Sequence, residues 1–252
     1  MKRNFWKIGK PVIIISAAGL LIGGLRRHLK QLHGHSHSHE TQSAQTEGVT
    51  IHWAKWYDPL VNLLALGQAQ KIRNMTVEMA GIQPGQTVLD VGCGTGDLTL
   101  AAKKAVGQDG SVTGIDAAAE MIAVATDKAH KQQLAIDFQI APIEKLPFAD
   151  NSFDMVINSL VMHHLPEHVK RDGIAEIYRV LRPDGTFFTL DFVPMQRKSE
   201  RLRTLHFGHR SGPSSSIFDL EHVLEENGFE DVESGHSPVR LLGHLRGKKP
   251  QA

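Results

Sequence analysis

Cysteine is almost missing from this 252-residue chain, which carries Cys93 and no other. A lone thiol excludes an internal disulfide framework and suits a reducing compartment. A charge excess of either sign is missing too. Twenty-eight Lys and Arg stand against 27 Asp and Glu, a net +1, which leaves no basic surplus for a nucleic-acid groove. With 41% hydrophobic residues the chain can bury one full α/β core and has little left for a second, so one domain with an extension is expected.

Long apolar runs are also missing, with one exception. Residues 12–25 (VIIISAAGLLIGGL) carry no charge; Lys2, Arg3, Lys7 and Lys10 precede them, and Arg26, Arg27 and Lys30 follow. As a helix this run spans about 21 Å against a hydrocarbon core of about 30 Å, so crossing needs help from Phe5, Trp6, Ile8 and snorkelling lysines. Three readings stay open: a single membrane anchor, a helix lying in the interface, or a cleaved targeting peptide. Basic residues flank both sides, so charge bias sets no orientation. The polar stretch that follows, with His33, His35, His37 and His39 among glycine and serine, reads as a solvated tether. Without cysteine or a fixed frame such histidines hold zinc or nickel adventitiously, and no dedicated metal site is expected. The division is 1–30 anchor or targeting segment, 31–50 linker and 51–252 domain.

The domain is organised around residues 88–100, VLDVGCGTGDLTL. Val88, Leu89, Asp90 and Val91 make an apolar run with one carboxylate, as at the carboxyl end of a buried parallel strand. Gly92, Gly94 and Gly96 follow at alternate positions, and Asp97 to Ala105 continues as a helix. Strand, glycine turn and helix form a nucleotide pocket at the edge of a doubly wound sheet; a glycine turn without ligand is the other reading. The spacing is G-x-G-x-G rather than the G-x-G-x-x-G of pyrophosphate sites, and Asp90 would repel a pyrophosphate. The pair disfavours an NAD-linked oxidoreductase and suits a cationic, phosphate-free nucleoside such as S-adenosylmethionine. Ser111 to Asp116 reads as the next strand. Its terminal carboxylate is placed to accept both ribose hydroxyls or, alternatively, to cap the helix beginning near Ala118.

Further along, residues 137–141 and 155–159 read as strands, 169–181 as an amphipathic helix and 186–193 as a strand. A helix follows over 219–227, then two runs, 232–237 and 239–245. Asn158, Ser159 and the rim residues 160–165 (LVMHHL) lie where acceptor chemistry belongs; His163 or His164 is a candidate proton acceptor, with packing or capping as the plainer role. The basic stretch 199–216 reads as a solvated loop or as a lid facing anionic lipid heads.

The glycine loop resembles motif I of the class I S-adenosylmethionine-dependent methyltransferases. Leu146-Pro147-Phe148, Asn151-Ser152-Phe153-Asp154 and the turn Leu181-Arg182-Pro183-Asp184-Gly185 resemble later signatures of that family, especially its quinone-biosynthesis C-methyltransferases and nearby small-molecule enzymes. The resemblance implies a Rossmann-like, seven-stranded, mostly parallel sheet with one antiparallel strand. It also implies S-adenosylmethionine as cofactor, held by Asp90, Gly92, Cys93, Gly94, Gly96, Asp116, Ala117, Met121, Pro142, Ile143 and Asn158. Tyr57 and Asp58 match a pair that lies near cofactor or acceptor, which adds Tyr57 to His163 and His164 as candidate catalytic groups. Three departures stand out, the first being that the stretch between the fifth strand and Asp219 is short for the quinone enzymes. Pro142 replaces the Asp or Asn that accepts from the adenine amino group, and His163-His164 replaces the Arg-Asn of the quinone enzymes. A small, lipophilic acceptor, either a quinone precursor or a lipid-like molecule, is expected at a membrane surface, with the domain on the cytoplasmic side. A tethered cofactor-binding scaffold or sensor without turnover is the alternative.

Overall fold

Val88, Leu89, Asp90 and Val91 are all buried, as a strand covered on both faces must be. The computed structural model describes residues 43–48, 54–64, 67–193, 216–239 and 241–251. The expected amino-terminal hydrophobic helix, the histidine tract and residues 199–215 of the basic stretch lie outside the described residues. Among those described, no helix is long and apolar enough to cross a membrane.

Two helices come first, α1 (Ala54–Leu64) and α2 (Ala69–Ala80). Strands and helices then alternate: β1 (Thr87–Val91), α3 (Asp97–Val106), β2 (Ser111–Asp116), α4 (Ala119–Lys131), β3 (Asp137–Ile140), β4 (Phe153–Ser159), α5 (Glu167–Val180) and β5 (Leu181–Phe192). Helix α6 (Glu221–Glu226) and strands β6 (Glu230–His236) and β7 (Leu242–Lys248) complete the chain. The sheet order is β3-β2-β1-β4-β5-β7-β6. Only β7 runs against its neighbours, pairing antiparallel with both β5 and β6. The order reverses between β1 and β4, and that switch point opens a crevice at the carboxyl ends of the strands.

Alternation along the strands divides the core. Val88, Met155, Ile157 and Phe188 face Ile72 of α2 and Leu98 of α3, whereas Leu89, Val156 and Phe187 face Ile174 and Ile177 of α5. Each such side chain, taken out of water, contributes about 1.5–3 kcal/mol. In α5 the buried positions Val169, Gly173, Ile174, Ile177 and Val180 recur at helical spacing, so the amphipathic stripe is the packed face.

The carboxyl-terminal elements depart from the expected bounds for local reasons. In place of one helix over 219–227 there is a 3-10 turn, Ile217–Leu220, before α6. Ser216 and Asp219 form a capping box that starts the turn. Val239, expected within a strand, sits in a turn: the Ser237 hydroxyl donates to its carbonyl at 3.0 Å and accepts from its N–H at 3.1 Å. Strand β7 therefore begins at Leu242. Strand β5 begins earlier than expected, at Leu181, because that residue already pairs with Phe153 of β4.

Candidate active site

The loop after β1 folds back onto the end of β2. The N–H groups of Gly92 and Cys93 both donate to the Ile115 carbonyl at 2.8 Å, and Gly96 N–H closes onto Cys93 at 2.9 Å. Gly92 has φ +71°, and a Cβ there would stand 2.7 Å from a Val161 methyl, so this position needs glycine both for its backbone and for space. Gly96, at φ +83°, instead abuts Ala125 of α4, where a Cβ would lie 2.8 Å from the Ala125 methyl. Gly96 is absent from the lining of the cleft; its role is close helix packing.

Asp116 ties two backbone turns together. One carboxylate oxygen accepts the Gly94 N–H at 2.9 Å and the other accepts the Ala118 N–H at 2.9 Å. The second bond is an Asx turn rather than a helix cap, because α4 has Ala118 at its N-cap and no side-chain cap bond. Burial pushes its carboxyl above the usual range, and the two N–H donors oppose that push.

An open cleft lies at the switch point, lined among others by Tyr57, Arg73, Asp90, Gly92, Cys93, Gly94, Asp116, Met121, Ser159 and His164. Asp90 is 1% exposed and accepts from the Thr99 hydroxyl of α3 at 2.6 Å. Burial raises its carboxyl to about 7, against the Thr99 bond and the nearby Arg73 charge. Tyr57 has its phenol pushed up by burial, with Arg73 opposing. Arg73 donates to Ser159 Oγ at 3.4 Å, and its buried Nε has no hydrogen-bond partner among the described residues. Sequence reasoning missed Arg73. It sits on α2 beside Ile72 and Met75, and only the docking of that helix aims it inward.

A second lobe shares Gly92, Asp116, Val161 and Leu165 with the first. It brings in Ala117, Pro142 and Ile143, and also Thr46 and Gly48. Residues 43–48, expected to be linker, therefore pack on the site. Ala44 N–H donates to the Ala117 carbonyl at 2.9 Å, and Ser43 Oγ accepts from Ala119 N–H at 3.2 Å. Helix α1 closes from the other side: Asp58 accepts from Thr95 Oγ1 at 2.5 Å and pairs with Lys128, which also reaches Asp97, both at 2.5 Å.

The rim residues part company. Asn158 is fully buried in β4, opposite Thr189 of β5, and lines neither lobe; its amide has no hydrogen-bond partner among the described residues. His164, an exposed residue, lines the cleft, and partial desolvation together with the neighbouring His163 lowers its imidazole below the usual range. His163 stands outside both lobes, its Nδ1 2.6 Å from Asp191 Oδ1. Among the described residues no group of three His, Cys, Asp or Glu is arranged to hold a metal ion.

Residues 88–185 match the methyltransferase domain family. The ubiquinone/menaquinone biosynthesis C-methyltransferase UbiE of Stutzerimonas stutzeri is 31% identical over 244 residues, 86% of this chain and 94% of that protein. The chain belongs to the class I S-adenosylmethionine-dependent methyltransferases. Among solved structures, an S-adenosylmethionine-dependent methyltransferase from Aquifex aeolicus is 23% identical, covers 75% of this methyltransferase and 97% of its own chain, and has a TM-score of 0.57. Phosphoethanolamine N-methyltransferase 2 of Haemonchus contortus, in complex with S-adenosyl-L-methionine, is 17% identical over 80% of this chain and 61% of its own, also at 0.57. Both structures speak for the fold. The residues of this methyltransferase fit its cofactor: the cleft offers carboxylates to a cation, a guanidinium to a carboxylate, and no basic residues on the glycine loop itself for a pyrophosphate.

Proposed function

We propose that the protein methylates a ring carbon of a small, aromatic, quinol-type acceptor. The cofactor supplies a methyl group already activated on a positive sulfur. In this reading Asp116 accepts the ribose hydroxyls, Asp90 and Tyr57 face the positively charged end, and Arg73 holds the amino-acid carboxylate. Ala117, Pro142 and Ile143 flank the base, with Thr46 and Gly48 as its outer cover. Pro142 contributes apolar contact where a side-chain acceptor is expected, so base recognition rests on shape and backbone. The chain's own contribution to rate is positioning: it holds the acceptor in line with the methyl and keeps water out.

The observation that carries the cofactor half is the convergence of Asp90, Asp116 and Arg73 on one cleft. The acceptor class rests on the 31% identity to UbiE across 94% of that enzyme. Full-length protein given methyl-labelled S-adenosylmethionine and 1,4-dihydroxynaphthalene should place label on a ring carbon. Label appearing only in water-soluble amines, with none in the naphthol or in a membrane quinol extract, would overturn the acceptor class. The charge-free run 12–25, flanked by lysines and arginines, further supports attachment to a membrane that dissolves such acceptors. The full chain should float with lipid vesicles, and the double variant Ile14→Asp, Leu21→Asp should not. Equal flotation of the two would remove the anchor.

A further inference from the structure

Strands β4 and β5 end side by side, and the residues at their ends form a second ionisable group next to the cleft. Asp191 is 1% exposed. Its Oδ1 lies 2.6 Å from His163 Nδ1 and accepts the Phe192 N–H at 2.7 Å, while Oδ2 accepts the His163 N–H at 3.2 Å. A carboxylate offers acceptors only, so against it Nδ1 carries the hydrogen and Nε2 keeps a lone pair. The His163 side chain is 26% exposed, enough to exchange protons with water. Its ring lies 3.8 Å from that of His164, which lines the cofactor cleft, and 5.0 Å from that of Phe192, edge to face. Phe192 is the one large hydrophobic side chain exposed among the described residues. Passing outward from the cleft, one meets His164, then His163, then an uncovered aromatic ring.

We propose that His163 is the general base for methyl transfer, that Asp191 is its positioning residue, and that Phe192 is the surface on which an aromatic acceptor rests. The inference builds on the quinol reading above. A phenolic hydroxyl ionises near pH 10, so about one molecule in a thousand is phenolate at pH 7. A neutral acceptor that gains a methyl cation equivalent, whose former bonding pair stays on sulfur, must lose one proton. The phenolic oxygen gives that proton to Nε2 as the ring carbon bonds the methyl. The hydrogen displaced from that carbon returns to the oxygen through solvent, and Nε2 discharges its proton to water, leaving one proton released per turnover. His163 rather than His164 is assigned the task because Asp191 holds its Nδ1–H and so turns the lone pair to Nε2.

Both Asp191 oxygens accept N–H donors, so the carboxylate joins the strand ends as well as orienting the ring. The roles are therefore separated by the His163 tautomer and by kcat read against an unchanged Kd. His163→Gln should lower kcat on 1,4-dihydroxynaphthalene by about 100-fold, with the calorimetric Kd for S-adenosylmethionine unchanged. Imidazole added to His163→Ala should restore part of the rate. Asp191→Asn should also lower kcat without moving that Kd. In protein labelled with nitrogen-15 at histidine, with the signal assigned by its loss in His163→Gln, the neutral ring should pass from a single Nδ1–H tautomer to a mixture in Asp191→Asn. Wild-type turnover retained by His163→Gln, or an Asp191→Asn variant silent in both tautomer and kcat, would overturn the inference alone. Wild-type protein that binds S-adenosylmethionine yet methylates neither the naphthol nor a membrane quinol extract would overturn the proposed function, and the inference with it.

Discussion

The two halves of the crevice are built from different material. On the side of β1 and β2, backbone does the shaping: Asp116 grips Gly94 and Ala118, and the Ile115 carbonyl draws in two successive N–H groups. On the side of β4 and β5, side chains gather at the strand ends beside the cleft, with two imidazoles and the carboxylate of Asp191 in contact. A cofactor shared across a family suits a cradle of fixed backbone, where one wrong atom is costly. Acceptor chemistry suits exchangeable side chains on a rigid sheet edge.

That contrast predicts a graded set of outcomes on the cofactor side. Gly92→Val should do most damage, because a positive φ and a Cβ 2.7 Å from Val161 combine strain with overlap. Calorimetry should find S-adenosylmethionine affinity lower by about 1,000-fold, and Val161→Ala should recover part of the milder Gly92→Ala loss, since only the overlap is relieved. Asp116→Ala follows, with affinity lower by about 100-fold from lost charge-assisted bonds; an unchanged Kd would remove Asp116 from the site.

Asp90→Asn should cost about tenfold in affinity, and it changes the pH response. The native carboxyl titrates at about 7 against an ordinary 3.8, so between those values the folded state holds more protons than the unfolded state. The contribution of Asp90 to stability without cofactor is therefore fully present below about 4 and is lost as pH rises through about 7. A cation in the cleft favours the ionised form, so binding near pH 7 should release protons, visible as a dependence of binding heat on buffer. Asp90→Asn should flatten both effects in thermal melts and calorimetry. The smallest change is expected from Lys128→Ala. Its pairs with Asp58 and Asp97 are partly exposed, at 22% and 31% side-chain exposure, so affinity should fall only about threefold.

The sheet was legible because its information is local. The run 88–91, the glycines and the carboxylate ending β2 each state a strand end within a few residues, and the helix of 167–180 repeats its apolar face. The acceptor side was legible only in part. His163 and His164 stand out as types, yet what separates them is Asp191, which follows Leu190 near the end of β5 and meets His163 across 28 positions. The position of Asp191 near the end of β5 parallels that of Asp116 in β2, and that parallel was the available clue. Arg73 and residues 43–48 offered none: a single arginine on a helix reads as solvated, and a polar run reads as tether until a carbonyl such as that of Ala117 claims it. Asn158 reads as a ligand from its place near a strand end, and the structure adds that its amide is buried opposite Thr189.

The segment ahead of the first helix has an architectural meaning. Ser43 and Ala44 are stitched to the turn at Ala117 to Ala119. Thr46 and Gly48, which follow them, form part of one wall of the second lobe. That wall is therefore supplied by chain that precedes the alternating strands and helices.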